Sequence, residues 1–191
     1  MDIAALSDDE LALAMQQGHE EAFDELVRRH QGRVYAVAYR MTSNREDALD
    51  VAQDAFLKAH RKIGSWRPRS GVVPWLMRLT VNQSIDLLRR QKRHRHVRLD
   101  ETFTVGDGTS AIEPRIQDTA RRVDANEIGA RVQAALVVLS PSQRAVFVMR
   151  HYEGLQLAEI AGVLGCTVGS VKVHLFRALK KLQKELTDLR G

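Results

Sequence analysis

The chain is poor in the residues that staple or stiffen small folds. It has a single cysteine, Cys166, which excludes an internal disulfide framework and a CxxC zinc site. Only 4 prolines and 5% aromatics are present among its 191 residues, a composition that suits small helical bundles. No apolar run approaches the roughly 18 residues that a membrane span needs. The start, Met1-Asp-Ile-Ala-Ala-Leu-Ser-Asp-Asp-Glu10, is acidic and lacks the basic opening of a signal peptide. These absences predict a soluble, cytoplasmic protein. Neither a strand signal nor an internal repeat is found, so the expected fold class is all-α. The 44% hydrophobic content is enough for real cores, and the length allows one domain or two small ones.

The net charge of +5 hides a strong asymmetry. Residues 1–60 carry 6 basic and 12 acidic side chains, and residues 61–98 carry 11 and 1. Residues 99–127 return to 3 and 7, and residues 128–191 to 9 and 4. Two basic blocks, each preceded by an acidic one, predict two nucleic-acid contacts on one chain. The acidic blocks would be repelled by DNA and are expected to face protein or solvent.

Helical periodicity runs through both ends of the chain. Ser7 and Glu10 form a capping box for a first helix with Leu11 and Met15 on its apolar side, ended by Gly18. A longer helix spans about 20–41, with Phe23, Leu26, Val27, His30, Val34, Val37, Ala38 and Met41 on one face. His30 there reads as a packed or hydrogen-bonded histidine. Ser43 and Glu46 suggest a second capping box, for a helix over roughly 44–63. Leu49, Ala52, Phe56, Ala59 and Ile63 would line its core side, opposite an acidic face. Within that face Asp50, Gln53, Asp54 and Leu57 form a polar patch with one apolar member, suited to a basic helical partner or simply to solvent.

An irregular loop follows, Gly64-Ser-Trp-Arg-Pro-Arg-Ser-Gly71. Its Trp66, Arg67 and Arg69 could grip unpaired bases, or Trp66 could anchor the core. Pro74 suits the first turn of the next helix. There Leu76, Met77, Val81, Ile85, Leu87 and Leu88 spread over one half, while Arg78, Asn82, Asp86, Arg89 and Arg93 line the other, with Trp75 at their start. The helix enters Arg89-Arg-Gln-Lys-Arg-His-Arg-His-Val-Arg98, a run that would hold phosphates with little sequence information. Residues 99–125 lack periodicity and read as an acidic linker.

A second helical unit follows the linker. Ile128, Val132, Ala135, Leu136 and Leu139 mark its first helix, and Ser140-Pro-Ser-Gln143 caps the next, whose core is Val146, Phe147 and Met149 before Gly154. The closing stretch runs Leu157-Ala-Glu-Ile-Ala-Gly-Val-Leu-Gly-Cys-Thr-Val-Gly-Ser-Val-Lys-Val-His-Leu-Phe176. Ile160, Ala161 and Leu164 make an apolar stripe, Gly165 suits a left-handed turn, and Thr167 can cap the next helix. Val171, Leu175 and Leu179, with Leu182 behind, would hold that helix to the first. This is the pattern of a DNA-binding helix-turn-helix. Its outward face would present Ser170, Lys172, Val173, His174, Phe176 and Arg177 to base edges, with Lys180, Lys181 and Lys184 toward phosphates. Cys166, in the turn, reads as a small buried hydrophobe.

Taken in order, these segments resemble a known family. They are the acidic helix Asp47-Ala-Leu-Asp-Val-Ala-Gln-Asp-Ala-Phe56, the Trp66 loop, and Trp75-Leu-Met-Arg-Leu-Thr-Val-Asn-Gln-Ser-Ile-Asp-Leu-Leu-Arg-Arg90. After the linker come Leu139-Ser-Pro-Ser-Gln-Arg144, Glu159-Ile-Ala-Gly-Val-Leu-Gly165 and Val168-Gly-Ser-Val-Lys-Val-His-Leu-Phe-Arg-Ala178. The chain is similar to extracytoplasmic-function, group IV, sigma factors of the bacterial sigma-70 family. The resemblance implies a sigma-2-like bundle over 5–96, a flexible linker over 97–126 and a sigma-4-like helix-turn-helix domain over 127–191. It implies docking of Asp50, Gln53, Asp54 and Leu57 on core RNA polymerase. It places Trp66, Arg67, Arg69, Trp75, Arg78, Asn82, Arg89, Arg90 and Arg93 at the −10 promoter element, where a base of the non-template strand is flipped into a pocket. It places Ser170, Lys172, Val173, His174, Phe176, Arg177, Lys180 and Lys181 at the −35 element. It also implies promoter melting, no cofactor, no catalytic role of the chain's own, and a regulating anti-sigma factor.

Two other readings differ in class. A two-domain regulator with a helix-turn-helix like those of LuxR-type activators would need a sensor or receiver, and residues 1–96 look all-helical. A nuclease or phosphohydrolase could use His94 and His96, although arginines interleave them and no acid sits among them.

Overall fold

The computed structural model describes residues 2–101 and 129–188, with side chains described for all of these but residues 70, 94–101 and 188. Among the described residues every regular element is helical. After a short 3-10 turn at Ile3–Ala5 come α1 (Asp8–Gln16), α2 (Glu20–Thr42) and α3 (Arg45–Lys62). Two more 3-10 turns, Ile63–Ser65 and Pro68–Ser70, lead into α4 (Val72–Glu101). The second set is α5 (129–136), α6 (Pro141–His151), α7 (Leu157–Leu164) and α8 (Val168–Asp188). Ile128 and the expected linker from 102 onward lie outside the described residues. Among those described, no single helix is long and apolar enough to cross a membrane.

Local chemistry explains most helix starts. The Ser7 hydroxyl accepts from Glu10 N while the Glu10 carboxylate accepts from Ser7 N, closing the capping box of α1. Ser140 and Gln143 do the same for α6, with Pro141 in its first turn. The box expected at Ser43 and Glu46 does not form. Asn44 is the cap, its side chain accepting from Asp47 N, and Ser43 instead ends α2 in the left-handed region. Both are good capping residues; the one that wins is the residue whose backbone is extended at the junction.

The first bundle is organised around α2. Leu26, Val34, Val37, Ala38 and Met41 are fully buried against α1, α3 and α4. His30 is hydrogen-bonded to Asp8 at 2.9 Å, and Arg29 donates to Glu25, Asp8, Leu6 O and Ala4 O, tying the N-terminal turn to α2. Of the core face expected for α3, Phe56 and Ala59 are buried and Ala52 and Ile63 pack partly against the core, but Leu49 does not. Ala48, Val51, Ala55 and Phe56 pack inward, while Leu49 is 53% exposed. Alanines at 48 and 55 let α3 approach closely, which turns Leu49 out.

Helix α5 to α8 form the second unit, with Leu136, Val146, Met149 and Ile160 at its centre. It contacts the first bundle through α2 and α4. Arg144, buried, donates through Nη1 to Met41 O at 2.6 Å, at the end of α2. The Gln133 amide donates to Tyr39 O and Ser43 Oγ. Arg33 pairs with Glu153 at 2.8 Å, and the Arg40 guanidinium lies 4.1 Å above the Tyr152 ring.

Candidate nucleic-acid interface

The helix-turn-helix is built as its residues dictate. Gly165 adopts φ 61 and ψ 39, and the Cys166 N–H returns to Ala161 O at 3.0 Å, closing a Schellman-type turn. Thr167 Oγ1 accepts from Ser170 N, capping α8. The chain bends by 101° between α7 and α8, within the range of such motifs. Val171, Ala178 and Leu182 are buried in the seam, with Leu175 partly so. Leu179, expected in that seam, is instead 44% exposed. A step of eight residues rotates about 80° around a helix, whereas a step of seven returns to within about 20°, which puts Ala178 inward.

On the outer side of α8, Lys172, Val173, Phe176, Arg177, Lys180 and Lys181 are all exposed, and Phe176 is 67% so. Lys181 also donates weakly to Val138 O at 3.4 Å. Two expected base-readers sit differently. Ser170 Oγ is engaged with Thr167 Oγ1 at 3.0 Å, so it belongs to the cap. His174 is half-buried, and it lines a cleft of about 440 Å³ with Asn82, Arg89, Leu164 and Cys166. That cleft brings the α4 stripe and the start of α8 together. Cys166 is half-buried and packs on the core edge.

On α4, Arg78, Arg89, Arg90 and Arg93 are exposed and Asn82 is half-buried at the wall of the cleft. Asp86, Arg89, Arg90, Lys92 and Arg93 line a second, open depression of about 620 Å³ whose charge is mainly positive. In the preceding loop Arg67 and Arg69 are exposed.

The two tryptophans require correction. Trp66 is 1% exposed and Trp75 7%, and both belong to the core of the bundle. Neither offers a ring face for a base to stack on. An indole buries a large apolar area, and in this loop that outweighs presentation to solvent. Trp66 therefore anchors the loop; Arg69 is exposed, and Arg67, exposed as well, donates through Nη1 to Gly64 O and Trp66 O within it. The side chains of His94 and His96, weighed for hydrolytic chemistry, lie outside the described residues. Among the described residues no three His, Cys, Asp or Glu side chains gather where a metal could be held.

A third surface lies on α3. Asp50, Gln53, Asp54 and Leu57 are exposed, and Leu49 joins them on the same face. The patch thus has two leucines, 53% and 44% exposed, set among two carboxylates. Periodicity had assigned Leu49 to the core; the signal that could have found it is its place one residue before Asp50 and eight before Leu57.

Comparison with known proteins gives this arrangement a context. Residues 26–94 match Sigma-70 region 2 and residues 129–182 match Sigma-70, region 4. The chain is 37% identical over 180 residues to the ECF RNA polymerase sigma factor SigM of Mycobacterium tuberculosis, covering 94% of this chain and 85% of that one. It is 33% identical over 186 residues to the RNA polymerase sigma-H factor of Pseudomonas aeruginosa, covering 95% of each. Among solved structures, CnrH in complex with the cytosolic domain of CnrY aligns with a TM-score of 0.64 at 26% identity, over 96% of this chain and 99% of CnrH. The sigma factor RpoE of Bartonella quintana, solved with the anti-sigma factor NepR, aligns at 0.63 and 25% over 86% and 96%. The all-helical fold, the two matched regions in this order and relatives spanning nearly the whole chain agree: it belongs to the extracytoplasmic-function branch of the sigma-70 family, as an RNA polymerase sigma factor directing transcription initiation.

Proposed function

We propose that the three surfaces divide the work of initiation among named residues. The α3 face of Leu49, Asp50, Gln53, Asp54 and Leu57 docks on core RNA polymerase. Arg67, Arg69, Arg78, Asn82, Arg89, Arg90 and Arg93 engage the −10 element. Lys172, Val173, Phe176, Arg177, Lys180 and Lys181 engage the −35 element. The observation that carries this reading is the coexistence on one chain of an exposed leucine–carboxylate face and two exposed basic faces. A purely DNA-binding regulator has no use for the first. The bundle within 5–96 and the unit within 127–191 act as separate domains joined by the acidic segment.

Each DNA contact is weak alone. Holding both on one polymerase makes the second effectively intramolecular. Melting costs a few kcal/mol for each unstacked base. Capture of an extruded base beside Asn82, whose amide both donates and accepts, offsets part of that cost. The arginines of α4 hold the strand's phosphates. The chain itself carries no bond-making chemistry and acts in the cytoplasm without a cofactor. Solved relatives sit in complexes with the cytosolic domain of CnrY and with the anti-sigma factor NepR, which supports an anti-sigma protein as a further partner here.

The test is capture of bacterial core polymerase by the purified chain, then run-off transcription on a genomic promoter library. Binding with new start sites is expected, and Asn82→Ala should reduce open complexes while core capture is kept. Failure to bind core, with sequence-specific DNA binding by the chain alone, would favour the conventional helix-turn-helix regulator.

A further inference from the structure

The loop between α3 and α4 presents Arg67 and Arg69 but is not held by its own residues alone. Its start and its exit are both tied to α1, a helix that none of the surfaces above includes. Gln16 Nε2 donates to Ile63 O at 2.8 Å and to Trp66 O at 3.1 Å. Asp9 Oδ1 accepts from Val72 N at 2.7 Å, across 63 residues of sequence. Val72 is the first residue of α4, so Asp9 satisfies one of the donors that a helix start leaves without a partner, and it sets a negative charge against that end. Asp9 and Gln16 are seven residues apart, two turns, and therefore lie on one face of α1. Between them the loop is pinned by buried Trp66 and turned by Gly71 at φ 62.

We propose that Asp9 and Gln16 are positioning residues for capture of the −10 strand. Resting on the assignment of Arg67, Arg69, Arg78 and Asn82 to that strand, the inference concerns what sets their spacing. The loop arginines and the first turns of α4 come from segments joined at Gly71, where the backbone could swing. The paired clamp removes that freedom before DNA arrives, so the ordering cost is not charged against binding. Neither residue contacts DNA itself.

The experiment uses holoenzyme assembled from core polymerase and full-length chain. The probe is a fluorescent single-stranded oligonucleotide carrying the non-template −10 sequence of a promoter mapped by run-off transcription. Asp9→Ala should weaken the oligonucleotide by about fivefold, the usual worth of one helix cap, and Gln16→Met by a similar factor, the usual worth of a hydrogen bond. Asp9→Asn, which keeps an acceptor at Oδ1, should recover most of that loss. Affinity for core polymerase and for −35 duplex should stay within about twofold. Wild-type oligonucleotide affinity in Asp9→Ala would overturn the inference. So would a parallel loss of core affinity, which would make the clamp merely structural, or failure of Asp9→Asn to rescue, which would take the effect away from the Asp9–Val72 hydrogen bond. If the wild-type holoenzyme itself does not bind the strand, the −10 assignment falls first and takes this inference with it.

Discussion

Three glycines, each replaced by alanine, should change stability with different sign and size, because each meets a different physical obstacle. Gly165 ends α7 in the left-handed region, and an added Cβ would meet no heavy atom within 4 Å. Its cost is purely conformational, about 1–2 kcal/mol, reduced by about 0.4–1 kcal/mol because alanine also restricts the unfolded chain. Gly165→Ala should therefore destabilise by about 1 kcal/mol. Gly71 has φ 62 with ψ 147, a region essentially reserved for glycine. Its added Cβ would also lie 3.3 Å from Pro74 Cδ, on a ring held in the first turn of α4. Gly71→Ala should cost about 2–3 kcal/mol, backbone strain and crowding combined. Gly162, within α7, has ordinary helical geometry and open space around it. Gly162→Ala should stabilise by about 0.5–1 kcal/mol. The assay is urea unfolding of the full chain followed by circular dichroism, read as midpoint shifts at constant slope. Stabilisation by Gly165→Ala, or a Gly71→Ala cost no larger than that of Gly165→Ala, would refute the reasoning.

Other consequences can be checked in parallel. Reversing Asp50 and Asp54 to lysine should lower core polymerase affinity by at least about tenfold in a fluorescence titration, while the melting temperature barely moves because both side chains are exposed. Lys180→Ala and Lys181→Ala should each reduce the log–log salt slope of −35 duplex binding by about one, whereas Lys172→Ala and Arg177→Ala should weaken −35 recognition and relax its sequence preference without affecting core binding. Arg144 is buried, and burial pulls its guanidinium down to about 10, so it remains charged at neutral pH. The unfolded chain then binds that proton more tightly, and stability gains from its loss only above pH 10, leaving the desolvation cost in full at pH 7. Arg144→Met removes that desolvation cost and fills most of the space but still takes away the donor to Met41 O, so in thermal melting it should cost less than Arg144→Ala, which adds a cavity to the lost bond and should lose about 1–3 kcal/mol. Hydrogen bonds from Arg28 and then Arg29 hold the Glu25 carboxyl at about 2, against an ordinary 4.5. The stabilisation from that shift is complete above pH 4.5 and lost as pH falls through about 2, so Glu25→Gln should flatten the decline of melting temperature within that window.

Sequence by itself determined the features that local chemistry decides. The capping boxes at Ser7 and Ser140, the Thr167 cap and the left-handed turn at Gly165 each involve residues at most five apart, and each formed as expected. The all-helical fold and the helix-turn-helix followed from periodicity and these caps, and the order of segments carried the family. Tertiary structure decided which side of each helix is inside. A wheel drawn on α3 cannot tell whether Leu49 or Ala48 faces inward, because the answer depends on how closely α2 and α4 approach. The same applies to Leu179 against Ala178 on α8, where a small residue at the crossing outranked a larger one. Trp66 read equally well as base platform and core anchor, since burial of an indole depends on a cavity made by other segments. The support that Asp9 and Gln16 give the loop joins positions 47 to 63 residues apart. No local rule reaches that far; it exists only once α1 has packed beside the start of α4.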